Sequence, residues 1–79
     1  MKDLCSLSSL TEGGKCIVRS LSDDVKMRNR LSSLGLIEGT CVTCVMKSFS
    51  GDLSAFLIRG AVIALRNKDS EKIMAEPIS

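Results

Sequence analysis

The chain has 79 residues and a mass of 8.5 kDa, which is the size of one small domain. Its apolar fraction of 44% can supply a hydrophobic core, and its six Gly and one Pro exclude a disordered or fibrous chain. The sequence contains no His, which excludes catalytic triads and His-ligated metal sites, and its net charge of +2 is too balanced for a dedicated nucleic-acid binder.

The first predicted elements are a short helical turn and a strand. Leu7 and Leu10 lie three residues apart, a spacing that favours one helical or 3₁₀ turn. After a glycine-containing turn, Lys15–Leu21 is rich in residues that favour strands. Because side chains alternate along a strand, Cys16 and Val18 are expected on one face.

A helix is predicted next, and both of its ends carry signals. Ser22–Asp24 offers N-cap side chains and carboxylates at the positive end of the helix dipole. The apolar residues at i, i+4 and i+7 form one stripe, which is expected to face the core: Met27, Leu31 and Leu34. Gly35 stands where a helix C′ residue belongs, and Leu36 is positioned to close back on Leu31 in a Schellman motif.

The rest of the chain is predicted to form short strands joined by tight turns. Ile37–Gly39 fits a type II turn, with Gly39 supplying the positive φ. The segments that follow are, in order, a strand at Thr40–Phe49, a turn at Ser50–Asp52, strands at Ser54–Arg59 and Ala61–Arg66, a turn at Asn67–Asp69, a strand at Glu71–Ala75 and a frayed end marked by Pro77. About five short strands and one short helix therefore predict a mainly β fold, a small and strongly bent antiparallel β-barrel in a single domain over residues 1–79.

No segment is long enough to insert into a membrane. The longest charge-free runs, Leu4–Thr11 and Gly39–Met46, have eight residues each, whereas a transmembrane helix needs about 20. The N-terminus also lacks the apolar run of a signal peptide, so the expected location is the cytoplasm.

Four Cys residues without an export signal are expected to be thiols. Cys41 and Cys44 form a C-x-x-C pair and are the weak candidates for a metal or redox site. Their surroundings favour a strand, on which residues three apart point to opposite faces. The favoured interpretation is that Cys16 and Cys44 are buried as small apolar residues, with Cys41 more exposed.

With these elements placed, an ordered set of residues resembles the FeoA family of small SH3-like proteins associated with bacterial ferrous iron uptake. The residues that carry the resemblance are Leu7-x-x-Leu10-x-x-Gly13, Val18, Arg30-Leu31-x-x-Leu34-Gly35-Leu36-x-x-Gly39, Val42, Gly51-Asp52, Gly60, Ile63-Ala64-Leu65-Arg66 and Ile73. The match runs from about Leu7 to Glu76. The sequence departs from the family pattern at Glu38 and Leu53, where Pro is frequent, and near Ser70, where Ala is frequent.

The resemblance implies an SH3-like antiparallel barrel and a non-enzymatic partner of FeoB, the ferrous iron permease with a cytosolic G-protein domain. An enzyme is also disfavoured by size, since so small a domain has little room to enclose a substrate. No cofactor, membrane insertion or nucleic acid is expected. The expected location is cytoplasmic, at the inner face of the membrane through the partner, and unpaired edge strands make a homodimer plausible.

The candidate partner contacts lie on the predicted helix and its exit: Met27, Arg30, Leu31, Leu34 and Leu36. Leu31 and Leu34 are expected to be mainly core residues, and Met27 to be partly exposed. Two alternatives remain open. One is a stand-alone SH3-like module of an iron-dependent regulator, with Lys26, Arg28 and Arg30 meeting DNA. The other is a thiol-based metal-binding or redox protein, which requires Cys41 and Cys44 to be close and one of them to have a lowered pKa.

Overall fold

The computed structural model describes residues 4–21 and 24–78, and these form one antiparallel sheet with two helices and a 3₁₀ turn. The elements are β1 Cys5–Ser6, a 3₁₀ turn at Leu7–Ser9, β2 Lys15–Ser20, α1 Val25–Ser33, β3 Cys41–Lys47, β4 Leu53–Ile58, β5 Ala61–Arg66, α2 Asn67–Ser70 and β6 Met74–Ile78. The strand order is β1-β6-β2-β3-β4-β5. Within the described residues, β1 and β5 are edge strands and the sheet is not closed.

The prediction of a mainly β fold with one short helix is confirmed, with six strands where about five were expected. The additional strand is β1, in which Cys5 pairs with Ala75 and Ser6 with Met74. A two-residue strand is too short to show alternation, so only its tertiary pairing defines it.

The C-terminal strand lies further along the chain than predicted. Asn67–Ser70 forms a helical turn in place of the expected tight turn, and β6 therefore begins at Met74. Pro77, expected at a frayed end, lies within β6 and pairs with Cys16. It lies beyond the part of β6 that β1 covers, where one side of the strand tolerates a missing N–H.

The core is aliphatic and surrounds one aromatic ring, that of Phe56. Its buried apolar members are Leu7, Leu10, Cys16, Val18, Leu31, Leu36, Val42, Cys44, Phe56, Ile58, Leu65, Ile73 and Ala75. They come from every strand from β2 to β6, from α1 and from the 3₁₀ turn, so the sheet bends around a single cluster. The expected burial of Cys16 and Val18 on one face of β2 is confirmed.

Helix α1 begins and ends as the sequence signals predict. The backbone N–H of Lys26 donates to Asp24 Oδ1 at 3.0 Å, which makes Asp24 the N-cap, while Ser22 and Asp23 lie outside the described residues. At the other end Gly35 has φ +97° and donates to Ser32 O, and the N–H of Leu36 donates to Leu31 O at 2.9 Å. This pair of bonds is the Schellman motif, and it brings Leu36 back into the core beside Leu31.

The prediction that the whole helical stripe faces the core is wrong at Leu34. Leu31 is fully buried and Met27 packs partly against the core, but Leu34 is 38% exposed. Leu34 is the C-cap residue, where the backbone already turns toward Gly35. Its side chain therefore lies at the end of the helix, outside the core cluster.

A two-residue turn joins β4 to β5. Both central residues have positive φ, +50° at Arg59 and +86° at Gly60, as a type I′ hairpin requires. The pairing then runs without a bulge from Ile58–Ala61 to Leu53–Arg66. On the other side of β4, the register with β3 shifts between Cys44 and Met46, so Val45 is an additional residue in a bulge.

Candidate functional site

The structure divides the five predicted partner contacts into buried and accessible residues. Leu31 and Leu36 have no exposed surface and act in the core. Met27 is half-buried, Leu34 is partly exposed and the Arg30 side chain is 63% exposed. We call these three accessible residues, Met27, Arg30 and Leu34, the helix surface.

Arg30 has a structural contact as well as an exposed side chain. Its Nη2 lies 3.1 Å from Oδ2 of Asp69, which is largely buried in α2. The ion pair joins α1 to α2 through two residues that are 39 positions apart in the sequence. Because one partner is largely exposed, we expect it to contribute only about 0–1 kcal/mol to stability. Its main consequence is to fix the direction of the guanidinium beside α2.

A polar cleft of about 290 Å³ lies between β2 and the helix. It is lined by Arg19, Ser20, Leu21, Arg28 and Glu38. Arg19 is also paired with Glu76 of β6 at 3.4 Å. Three basic residues of α1 were proposed to meet DNA. Arg30 is paired with Asp69, whereas Lys26 and Arg28 remain as exposed cations.

Sequence reasoning missed an exposed apolar face on the opposite side of the sheet from the core. It consists of Met46, Leu53, Leu57 and Val62, which we call the sheet face, with exposed fractions of 40–62%. Leu57 pairs with Val62, and Met46 pairs with Ala55, which in turn pairs with Ala64. A cavity of about 220 Å³ opens there, lined mainly by the apolar atoms of Met46, Leu53, Ala55 and Ala64, with Ser48 and Ser54 at its border.

The sequence did contain a signal for this face. In β4, Phe56 and Ile58 alternate with Leu53, Ala55 and Leu57, so apolar residues occupy both sides of the strand. Both faces of a strand are apolar when both are covered, or when one is left for a partner.

The cysteines do not form the site that the C-x-x-C spacing suggested. Cys41 is exposed and Cys44 is buried, as the alternation along β3 predicts. Burial raises the pKa of Cys44, and burial also raises the pKa of Cys16 to about 11. The thiol-based alternative requires a lowered pKa at Cys41 or Cys44, and the pKa of Cys44 is shifted the opposite way. Among residues 4–21 and 24–78, no three Cys, Asp or Glu side chains lie close enough together to hold a metal ion.

No helix within the described part of the chain combines the length and apolarity needed to cross a bilayer.

Comparison with known proteins gives a family for the fold. A family model for the FeoA domain matches residues 5–77. No curated protein matches the chain at a significant level.

Solved structures share the architecture. An NMR structure of a FeoA-like protein from Clostridium acetobutylicum is similar with a TM-score of 0.91 and 24% identity, over 100% of this chain and 92% of that one. FeoA from Stenotrophomonas maltophilia, solved with zinc, has a TM-score of 0.78 and 23% identity over 90% of this chain and 88% of that one. Its description is of a prokaryotic SH3 domain protein and suggests a ferrous iron transport activating factor. The predicted SH3-like fold is confirmed.

The fold also occurs inside a larger regulator. A manganese-dependent transcriptional repressor is similar with a TM-score of 0.88 and 15% identity, over 99% of this chain but only 44% of the repressor. At that identity the likeness concerns the fold alone.

Proposed function

Because the chain belongs to the FeoA family, we propose that it is a non-enzymatic accessory protein of bacterial ferrous iron uptake that binds the FeoB permease and its G-protein domain. The observation that carries the proposal is the extent of the family match, residues 5–77, which runs from the start of β1 to the penultimate residue of β6. A match of that extent concerns the whole domain and not a single turn motif.

The surface chemistry supports a binding role. Two regions expose apolar side chains beside charged ones, the helix surface and the sheet face. Apolar patches with a polar surround are typical of protein interaction sites. In this proposal Leu34 supplies an apolar contact and Arg30, oriented by Asp69, supplies a charged one. The protein acts in the cytoplasm and reaches the inner face of the membrane through its partner.

The direct test is binding to the companion FeoB-type permease in detergent. The reduced, ¹⁵N-labelled full chain is titrated with permease that is nucleotide-free, bound to GDP or bound to a non-hydrolysable GTP analogue. We expect localised shifts in the NMR spectrum that include the amides around Leu34 and Gly35. Dependence of the affinity on the nucleotide would support a regulatory role, whereas binding independent of nucleotide would support an assembly role.

A pair of variants tests the helix surface. Leu34→Gln removes an apolar contact from the partly exposed C-cap position and is expected to weaken binding about 3–30-fold, the range for one interface side chain. Thr11→Gln, at an exposed position before β2, is the matched control and should bind as the natural chain does. Absence of binding by the natural chain in all three nucleotide states would overturn the proposed function.

A further inference from the structure

Strand β5 has one hydrogen-bonding edge that no described strand occupies. It pairs with β4 alone and ends the sheet order. The hairpin turn determines which amides face outward, because the pair Ile58–Ala61 closes a two-residue turn and is hydrogen-bonded. Alternation then directs the N–H and C=O groups of Ala61, Ile63 and Leu65 toward β4 and those of Val62, Ala64 and Arg66 outward.

Two further hydrogen bonds agree with this assignment. The N–H of Asn67, the next odd-numbered residue after Leu65, donates to Asp52 O at 2.7 Å. In β4 the even-numbered residues bond to β5, so the odd-numbered ones should face β3. The carbonyl of Leu53 does accept from the N–H of Ser48 on that side. Among the described residues, the outward groups of β5 therefore form a row of backbone donors and acceptors without a partner.

Little along this edge prevents another strand from pairing with it. Natural edge strands are usually protected by Pro, Lys, a bulge or an inward-pointing charge. The sequence of β5 is Ala-Val-Ile-Ala-Leu-Arg, with its one charge at the end, and its pairing with β4 is regular over all six residues. Val62, Ala64 and Arg66 are all exposed.

The side chains beside this edge indicate what an added strand would contain. Val62 is 62% exposed and stands next to Leu57 on the sheet face, while Ala64 is small and leaves room above the sheet. A strand added along β5 would bury these groups with apolar side chains at every second position. The segment that best fits this edge and the sheet face is therefore an extended one in which every second residue is apolar.

Cations lie at both ends of β5, and at its second end they outnumber the one carboxylate in their cleft. Arg59 lies in the turn before the strand, and Arg66 and Lys68 follow at its end, where they line a cleft of about 510 Å³ together with Asp52. All three cations are exposed, and none forms an ion pair with a described residue. Charge complementarity therefore favours a segment with acidic residues near both ends, about 20 Å apart for a strand of this length.

The edge is continuous with the helix surface. The Arg59 side chain packs over Gly35 at the helix exit, so closely that a Cβ on Gly35 would lie 3.1 Å from Arg59 Cδ. At the other end of β5, Arg30 of the helix surface reaches Asp69 in α2. A partner that contacts Leu34 is therefore already beside the start of β5.

We propose that the outward edge of β5 is a strand-addition site for an acidic, extended segment of the FeoB-type permease, a proposal that rests on the proposed function. The segment pairs with Val62, Ala64 and Arg66, and its apolar side chains cover the sheet face. A second copy of this chain fits less well, since pairing of two six-residue edges buries far less than the roughly 1,200 Å² typical of a stable interface.

Amide hydrogen exchange in the complex provides the most specific test. The full chain bound to the detergent-solubilised permease should show exchange slowed by about tenfold or more at Val62, Ala64 and Arg66, because these amides gain acceptors. Ile63 and Leu65 already donate within the sheet and should change little. Docking through side chains alone would not produce this alternation.

A variant pair tests the same edge by affinity. Ala64→Pro removes an outward N–H while leaving the hydrogen bonds to β4 intact, and should weaken permease binding about tenfold or more. Ala64→Ser keeps both the N–H and a small side chain, and should bind several-fold more tightly than Ala64→Pro. Arg59→Glu with Arg66→Glu, at exposed positions, provides a second test that does not depend on Pro and should also weaken binding.

The outcomes separate this proposal from the proposed function. If the natural chain binds but the alternating protection is missing and Ala64→Pro binds equally well, the strand-addition site is overturned and the proposed function stands. If the natural chain does not bind the permease, both are overturned. A dimer in sedimentation that Ala64→Pro abolishes would assign the edge to a second copy and also overturn the proposal.

Discussion

Cys16 is the residue whose protonation is most strongly altered by the fold. It is fully buried in β2, and desolvation, with smaller contributions from Cys5, Cys41 and Cys44, raises its pKa to about 11. In the unfolded chain a Cys thiol titrates near its ordinary pKa of 9.0. The fold thus favours the neutral thiol over the thiolate. The contribution of this preference to the free energy of unfolding is fully present at neutral pH, and it is lost as the pH rises from about 9 to 11.

We therefore predict that the free energy of unfolding falls by about 2 kcal/mol between pH 8 and pH 11 through Cys16, measured by urea unfolding under reducing conditions. Cys16→Ala should lower stability at all pH values but show a shallower decline with pH. Cys41→Ala removes an exposed thiol that makes only a small contribution to the pKa of Cys16, and its stability should decline almost as steeply as that of the natural chain. Equal slopes for Cys16→Ala and the natural chain would contradict the assignment.

Which residues are buried could be predicted from the sequence where the local pattern alone decides. Alternation along the strands correctly gave buried Cys16 and Cys44 and exposed Cys41. The exposure of Leu34 could not be predicted, because it depends on where the end of the helix lies relative to the core. The contact between Arg30 and Asp69 could not be predicted either, since 39 residues separate them and no local spacing records the pairing.

At the scale of elements, Asp24 is the side chain that caps the N-terminus of α1 among the described residues. Asp24 accepts the N–H of Lys26 at 3.0 Å, and its charge lies at the positive end of the helix dipole. We predict that Asp24→Ala lowers the free energy of unfolding by about 1 kcal/mol, since it leaves a helix N–H without its acceptor. Urea unfolding at pH 7 measures the loss.

Asp24→Ser is the matched variant, because Ser is also a good N-cap and removes only the charge. It should recover more than half of the stability that Ala loses. If Ser and Ala destabilise equally, the stabilisation by Asp24 arises from its charge and not from the cap.

Elements with local signals were predicted well, and elements defined by long-range pairing were not. The caps of α1, the turn at Gly39 and the limits of β5 follow from residue types that few other conformations accept. The two-residue β1 exists only because β6 lies beside it. The helical turn Asn67–Ser70 has the composition of a tight turn, so its sequence could not place the start of β6.

At the scale of the whole molecule, the open sheet distinguishes this fold from a closed barrel. The sequence predicted a barrel from the number and length of strands, which constrain bending but not closure. Two edges remain among the described residues, a two-residue one at β1 and a six-residue one at β5. The longer edge borders the sheet face, so this strand edge and an exposed apolar face adjoin on one side of the molecule. Composition alone does not reveal this arrangement.

The distribution of charge over the whole molecule predicts weak binding to DNA, despite the likeness to a repressor domain. The net charge is +2, and the fold pairs Arg19 with Glu76 and Arg30 with Asp69. Helix α1 then offers Lys26 and Arg28 as exposed cations. Two phosphate contacts correspond to a slope of about −2 in the logarithm of the binding constant against the logarithm of salt concentration, against about −5 to −9 for six to ten contacts.

We therefore expect no complex at physiological salt between the full chain and a fluorescent duplex of about 25 base pairs in an anisotropy titration, since sites held by few phosphates bind too weakly. Low-salt binding through α1 should weaken in the double variant Lys26→Gln with Arg28→Gln, which removes the two exposed cations of α1 that have no ion pair with a described residue. Thr11→Gln provides the control with unchanged charge. A complex that persists at physiological salt with a slope steeper than about −4 would require a basic surface beyond α1, and would favour the regulator over the transport accessory.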